Sequence, residues 1–363
     1  LTWEKVRTWD IGFDYGFLSN RLTGSFDYYI RYTDGMVGPA PELPSILGTS
    51  APKTNNCNLR TNGWELSIGW RDRLKNGFGY SANLTLSDAK TIVTSYPSNA
   101  TNTIGLNKYV EGREVGEIWG LETIGIAKSE NEMQAHLLSL PNGGQDAIGS
   151  KWSAGDIMYR DLNEDGKISK SAGTLDDHGD LKVIGNSTPR YFFGIDLNAD
   201  WKGFDIRLFF QGVMKRDFWG TNNFCGYLFG AYGTQSMWGA RGLKEHEDYF
   251  RAEDIGLSGH TIPANLDAYY PRPIFSEGGK NQEIQTRYLQ DASYIRLKNF
   301  QLGYTFPAKW MKSMGLTRCR VFVSGENLWT GTSLSSLFDP ETISGGNAYP
   351  LSSTWSFGLS LTL

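Results

Sequence analysis

Residues 8–17 read TWDIGFDYGF: Trp9, Ile11, Phe13, Tyr15 and Phe17 alternate with Thr8, Asp10, Gly12, Asp14 and Gly16. Strict alternation over ten positions places the five large apolar side chains on one face of a β-strand and the small polar ones on the other. After Ser19 and Asn20 the pattern returns as Leu22, Phe26, Tyr28, Ile30 and Tyr32, opposed by Thr23, Ser25, Asp27 and Arg31, so residues 8–32 predict an antiparallel hairpin.

The same reading carries along the chain. Trp64, Leu66, Ile68 and Trp70 precede Phe78, Tyr80, Ala82, Leu84 and Leu86 across a turn containing Lys75, Asn76 and Gly77. Tyr191, Phe193, Ile195, Leu197, Ala199 and Trp201 turn at Lys202 and Gly203 and return through Phe204, Ile206, Leu208 and Phe210. Further strands are predicted near 294–306, 318–329 and 353–363. Between Leu297 and Phe300 the apolar phase slips by one residue, which predicts a β-bulge at Lys298 and Asn299.

A soluble β-sandwich also alternates, so the polar face must decide. A water-facing surface normally carries Lys, Glu and Thr; here the opposed face is largely Gly, Ser, Asn and Asp, and bulky aromatics stand at strand ends. A polar lumen wall and interfacial aromatic girdles produce that distribution. Composition agrees: aromatics reach 13%, Gly 43 and Trp 12 in 363 residues, whereas a helical bundle has little use for either. The fold class expected is therefore all-β, an antiparallel transmembrane β-barrel portion with its apolar face on lipid and lipopolysaccharide. A net charge of −4 with 20% charged residues supplies no field for nucleic acid and no polybasic run.

Connections fall into two kinds. Those at 18–21, 72–77, 202–203 and about 307–317 are short; those at about 33–60, 88–189, 214–292 and 330–352 are long. Outer-membrane barrels keep short turns periplasmic and long loops external. That assignment gives nine strands, the last ending on the periplasmic side. An odd, open set leaves unpaired backbone edges that lipid cannot solvate, so further strands are expected from sequence outside these residues.

The long segments hold the candidate chemistry. Asp161-Leu162-Asn163-Glu164-Asp165-Gly166-Lys167-Ile168 matches the first eight positions of an EF-hand loop: oxygens at alternate residues converge on a hard cation, Gly166 makes the bend, and the Lys167 carbonyl adds a backbone oxygen. Ala172 stands where the bidentate acid belongs, and Asp176, Asp177 or Asp180 are the available substitutes. The expected Ca²⁺ ligands are thus Asp161, Asn163, Asp165, Lys167 and Asp180. Residues 214–292 are dense in rings, and Trp219, Tyr227, Tyr232, Trp238, Tyr249 and Tyr270 are candidates for stacking a sugar or holding a peptide side chain; the plainer alternative is that they pack loop against loop. Ser129 and Glu132 form a capping box ahead of Met133, His136, Leu137 and Leu140, predicting a short helix. Cys57, Cys225 and Cys319 have no metal spacing, which leaves a Cys57–Cys225 bridge open. No G-x-S-x-G, H-E-x-x-H, P-loop or G-x-G-x-x-G occurs, and no catalytic residue is expected.

Taken together, several blocks resemble the SusC/RagA family of TonB-dependent transporters: the opening LTWEKVRTWDIGFDYGFLSNRLTGSFDYYIRYTDGMV, then TNGWELSIGW, GDIMYRDLNEDGKI with VIGNSTPRYFFGIDLNADWKGFDIRLFFQG, YLQDASYIRLKNFQLGYTFP and RVFVSGENLWT. The resemblance implies a 22-stranded barrel with an N-terminal plug, of which residues 1–363 would be the C-terminal portion, the plug and N-terminal strands lying outside it. It also implies a SusD-like lipoprotein lid, energy from TonB, and import of oligosaccharides or, in some members, peptides. In that family an Asp often follows the acidic motif closely; here extra residues intervene before Asp180. The last strand finishes on Leu363 rather than an aromatic, yet Trp355, Phe357, Leu359 and Leu361 keep the alternation.

Overall fold

In the computed structural model, which describes residues 1–38, 46, 48, 52–220, 244–257, 259–274, 278–313, 315–343 and 349–362, nine strands form one antiparallel sheet. They are β1 (Lys5–Phe17), β2 (Leu22–Val37), β3 (Asn55–Arg73), β4 (Gly79–Ser95), β5 (Arg190–Trp201), β6 (Phe204–Lys215), β7 (Tyr294–Thr305), β8 (Arg318–Thr332) and β9 (Thr354–Thr362). Their spatial order is their chain order, with β1 and β9 at the two edges, so every neighbour is joined by a hairpin or by a long connection on the opposite side.

Register turns the alternation into a continuous face. One cross-strand row runs Phe17, Leu22, Trp70, Ala82, Leu197, Leu208, Phe300, Gly325 and Trp355, touching all nine strands. Three residues away on β1, the row through Asp14 is polar: Ser25, Ser67, Thr85, Gly194, Gln211, Arg296 and Thr330. A one-residue slip anywhere would exchange the two faces, so the pattern itself fixes the pairing. Lys298 is the extra residue between Leu297 and Asn299 in the β6–β7 ladder, which puts the bulge where the phase slip predicts it; in the β7–β8 ladder it faces two residues, Asn327 and Leu328. Gly212 lies opposite Phe193, and a Cβ there would meet the ring at 2.6 Å; the missing side chain lets the aromatic lie across the backbone.

The apolar face of this sheet covers no core. Ile206 and Leu302, on strands with neighbours at both sides, remain 36% and 40% exposed, and on β1 Trp9 and Phe13 are more exposed still. Nonpolar side chains in such numbers stay uncovered only where the surrounding medium is itself apolar. Among the described residues no helix is long and apolar enough to cross a membrane; crossing here is a task for strands.

The chain divides into two units. The first comprises 1–96, 188–217 and 291–363 and contains the whole sheet; the second comprises 97–187 and 218–290. The second unit has its own hydrophobic core, in which Ile118, Leu121, Met133, Ile157, Tyr159 and Tyr288 are fully buried. Two small antiparallel pairs frame it, Glu117–Gly120 with Lys182–Asn186 and Thr123–Ile126 with Ile157–Tyr159. The helix α1 (Glu130–Leu138) starts where the capping box predicts, with half of the box formed: the Ser129 hydroxyl accepts from the Glu132 N–H at 3.2 Å, while the Glu132 carboxylate reaches one residue further back and accepts from the Lys128 N–H at 2.7 Å. A second short helix, α2 (Ala308–Lys312), occupies the turn between β7 and β8. Cys57 and Cys319 are buried free thiols among the described residues, while Cys225, the suggested partner of Cys57, lies outside them.

Candidate functional site

On the polar face of the sheet, acidic and basic side chains meet across strands. Arg207 on β6 holds Asp196 on β5 at 2.6 Å, Arg73 on β3 holds Asp200 on β5 at 2.9 Å, and Arg320 on β8 pairs with Asp205 on β6. All six residues are in the polar phase of their strands, so the wall they form is hydrophilic and charge-balanced, as an aqueous interior needs. Pairs this exposed contribute little to stability, typically below about 1 kcal/mol each; their value is in fixing side chains against the wall.

At the end of the sheet that carries the long connections, a denser charge cluster appears. Arg296 is buried and reaches Asp339 and Glu341, both at 3.0 Å, and donates from Nε to the Thr330 hydroxyl at 2.7 Å. Lys298, on the same face, reaches Glu341 at 3.1 Å. Segment 333–343 between β8 and β9 is thereby tied to the polar face of β7. Burial alone would push the Asp339 carboxyl up, but the Glu341 backbone N–H and the Arg296 guanidinium outweigh it and hold the group below the ordinary carboxylate range.

In the second unit the acidic turn is organised around its own backbone. Asp161 Oδ2 accepts from the Gly166 N–H at 2.8 Å, Asn163 Oδ1 from the Asp165 N–H at 3.1 Å, and Asp165 Oδ1 from the Lys167 N–H at 3.1 Å. Gly166 has φ +78°, and a Cβ would stand 2.9 Å from the Asn142 amide, so the bend demands glycine twice over. Asp180 is fully buried and closes the turn: Oδ1 accepts from Leu162 N–H at 2.8 Å and Oδ2 from Ser169 N–H at 2.7 Å. Burial, with the nearby Asp161 charge, raises its carboxyl above the usual range despite those bonds. Asp161 Oδ1 is buried with no hydrogen-bond partner. Among the described residues no three His, Cys, Asp or Glu side chains converge on one point, so a cation here would have to draw on the Asn163 amide oxygen and the Lys167 carbonyl as well.

Of the aromatic candidates, Trp219 and Tyr270 belong to the core of the second unit, 5% and 3% exposed, and Tyr249 is half-buried beneath the Arg251 guanidinium, 4.5 Å from its ring centre. Tyr270 stacks on Tyr288 and meets Tyr269 edge-on, at centroid distances of 6.0 and 4.9 Å. These rings are covered by protein, and Tyr249, which packs against the same core, is the least buried of the three described. Tyr227, Tyr232 and Trp238 lie outside the described residues.

The most deeply buried charges leave no local pattern in the sequence. Asp156 is fully buried and receives Lys280 at 2.8 Å, Arg272 at 2.9 Å and the Asn281 amide at 2.9 Å. The Lys280 ammonium also donates to the Ser150 and Lys151 carbonyls and sits 4.6 Å over Trp152. More than a hundred residues separate these partners, and nothing local announces them.

An apolar sheet face with no core, a polar opposite face and long connections at one end define the wall of an outer-membrane β-barrel. Residues 1–328 match the sequence profile described as TonB dependent receptor-like, beta-barrel, and the chain belongs to that family. Among its relatives, TonB-dependent receptor P3 of Formosa agariphila is 29% identical over 351 residues, covering 94% of this chain and 31% of the relative. TonB-dependent receptor SusC of Bacteroides thetaiotaomicron is 24% identical, covering 99% and 32%. The solved RagAB peptide transporter superposes with a TM-score of 0.71 at 21% identity, covering 99% of this chain and 36% of that one, a likeness of fold. The chain therefore spans about a third of the length of these relatives. The SusC/RagA resemblance read from the strand blocks is met by these relatives, which are receptors and transporters of the outer membrane rather than enzymes.

Proposed function

We propose that this chain forms the C-terminal nine strands of the wall, and the external loops that go with them, of a SusC/RagA-type importer of oligosaccharides or peptides, energised through TonB and covered by a SusD-like lipoprotein. The observation that carries the reading is the register row of apolar side chains shared by nine strands, backed by a polar row on the other face. Such a wall does no chemistry on its cargo: loops and lid capture, and rearrangement of a plug elsewhere in the protein opens the path. An oligosaccharide is the favoured cargo because the long connection is rich in aromatic residues, residues 221–243 above all, and such rings offer stacking surfaces. Peptide import, the activity named for the RagAB relative, is the competing substrate class. The runner-up mode is a passive porin-like channel.

The test is uptake of a panel of labelled glycans and peptides by cells with and without the gene, each in TonB-competent and TonB-deficient backgrounds. Active import predicts that one class of cargo is lost on deletion of either gene. Uptake that survives loss of TonB would establish the passive channel instead.

For the acidic turn we propose a bound Ca²⁺, with Asp161, Asn163, Asp165 and the Lys167 carbonyl as ligands and Asp180 as the residue that closes the turn. The orphaned buried oxygen of Asp161 supports it, because an unpaired carboxylate oxygen removed from water needs a donor or a cation. Calorimetric titration of the full-length protein with Ca²⁺ tests it: the heat of one site should vanish in D161N, and no heat in the wild type removes the proposal.

A further inference from the structure

The short turns of the sheet carry a charge that the rest of the chain does not share. Residues 18–21, 71–78, 200–205 and 306–320 hold nine of the chain's 35 basic residues and three of its 39 acidic ones. The turns with their flanking strand residues are therefore at +6 and the remainder at −10. Register brings them to one rim: Arg71 N–H donates to the Arg21 carbonyl, Gly79 pairs with Asp200, Phe204 with both Trp201 and Tyr304, and Arg320 with Thr305.

The three acids are already neutralised. Asp72 is held by Arg21 at 3.1 Å, Asp200 by Arg73 at 2.9 Å, and Asp205 by Arg320. Six cations remain with no carboxylate partner among the described residues, all exposed: Arg71 and Arg318 are in the polar phase of β3 and β8, while Lys75, Lys202, Lys309 and Lys312 stand in the turns themselves and are the cations of the belt. Apolar side chains stand beside them. Trp310 on α2, between Lys309 and Lys312, is 58% exposed, and the Lys202 ammonium lies 4.5 Å over the exposed ring of Trp201. Phe17, Leu18 and Leu74 continue the same exposed belt.

Unpaired cations alternating with aromatic rings are what a lipid headgroup layer binds: the rings sit at the level of the glycerol backbone while the cations meet phosphate. Short turns place this rim at the periplasmic leaflet. We propose that the rim is a binding belt for anionic phospholipid headgroups of that inner leaflet. Charge complementarity selects this occupant, since a zwitterionic headgroup offers the cations no net charge and lipopolysaccharide belongs to the other leaflet. The proposal rests on the outer-membrane reading of the sheet and not on the nature of the cargo.

The test uses the full-length protein in phosphatidylcholine bilayers carrying trace spin-labelled phosphatidylglycerol or spin-labelled phosphatidylcholine, with the motionally restricted fraction read by electron spin resonance. Phosphatidylglycerol should be preferred by at least about fivefold, the effect of a single cation near an anionic lipid surface. The preference should fall towards one in K75Q/K202Q/K309Q/K312Q and, in the wild type, when salt is raised from about 0.02 to 0.5 M and the Debye length contracts. Equal restriction of the two lipids by the wild type overturns the proposal, as does a preference that persists in the folded variant. Should the variant not insert, a wild-type preference indifferent to salt does the same. Wild-type protein that imports its cargo while showing no lipid preference would refute the belt and leave the transport reading standing.

Discussion

Replacing Arg296 by methionine isolates the charge cluster that ties segment 333–343 to the wall. Arg296 faces two carboxylates at 3.0 Å, and its side chain and that of Asp339 are 5% and 9% exposed. Its Nη1 contact with Glu341 is Coulombic, because the atom makes no geometrically sound hydrogen bond. In R296M, Glu341 keeps Lys298, but Asp339 retains only the backbone N–H groups of Glu341 and Leu351. Removing one partner of a buried pair costs about 3–5 kcal/mol; the surviving bonds place this case at the lower end. About 3 kcal/mol is a factor of roughly a hundred in the local opening equilibrium. Amide hydrogen exchange over 333–343 of the full-length protein should therefore quicken by about that factor at pH 7, with the β3–β4 ladder unchanged. Because the wild-type Asp339 carboxyl is depressed, its contribution is present above the ordinary carboxylate range and is lost as pH falls through the folded-state value. Protection of the segment should thus collapse on acidification in the wild type and be already absent in the variant. Exchange that is identical in both proteins at neutral pH would show that Arg296 does not hold the segment to the wall.

Other outcomes follow from the second unit. D156N leaves Lys280 and Arg272 facing a neutral amide in a buried site and should destabilise that unit by about 3–5 kcal/mol, read as a lower unfolding midpoint in denaturant for residues 97–187. Burial raises the Asp156 carboxyl but Arg272, Lys280 and Asn281 outweigh it and lower it overall, so the unit should be stable above the ordinary carboxylate range and loosen as pH drops below it. G179A introduces a Cβ 2.3 Å from the Ser169 carbonyl oxygen at φ +57°, and should open the turn closed by Asp180, seen as faster exchange over 160–182. M133A empties a fully buried site beneath α1 and should cost about 2–5 kcal/mol by thermal melting.

The sheet was legible because two-residue periodicity is a local signal: each of the nine strands announces its own face, and the phase slip after Leu297 marks the bulge without reference to a neighbour. Strand length was less so. β3 begins at Asn55, nine residues before Trp64, because this stretch pairs through its backbone with β2, and from Asn58 onward with β4 as well, although its side chains do not alternate. The loop-borne unit was the larger omission. Its core is assembled from isolated apolar residues in two segments, 97–187 and 218–290, none of which forms a periodic run long enough to read. The same cause explains Trp219 and Tyr270: an aromatic in a long connection looks available until the partners that cover it are known, and here those partners, such as Tyr269 and Tyr288, are close in space and only partly in sequence. The acidic turn lay between these cases. Its Gly166 bend and backbone bonds are local and were foreseeable, whereas the clamp by Asp180 depends on a chain reversal that brings Ser169 and Leu162 to one carboxylate.

Which face of the sheet meets hydrocarbon can be read by cysteine scanning of the full-length protein in bilayers. Single cysteines at Phe13, Leu66 and Ile195 should react with a lipid-soluble maleimide and resist a charged one, while those at Ser67, Thr85 and Gln211 should do the reverse. Labelling of the Phe13, Leu66 and Ile195 positions by the charged reagent, with Ser67 and Thr85 protected, would mean that the apolar face is turned away from lipid.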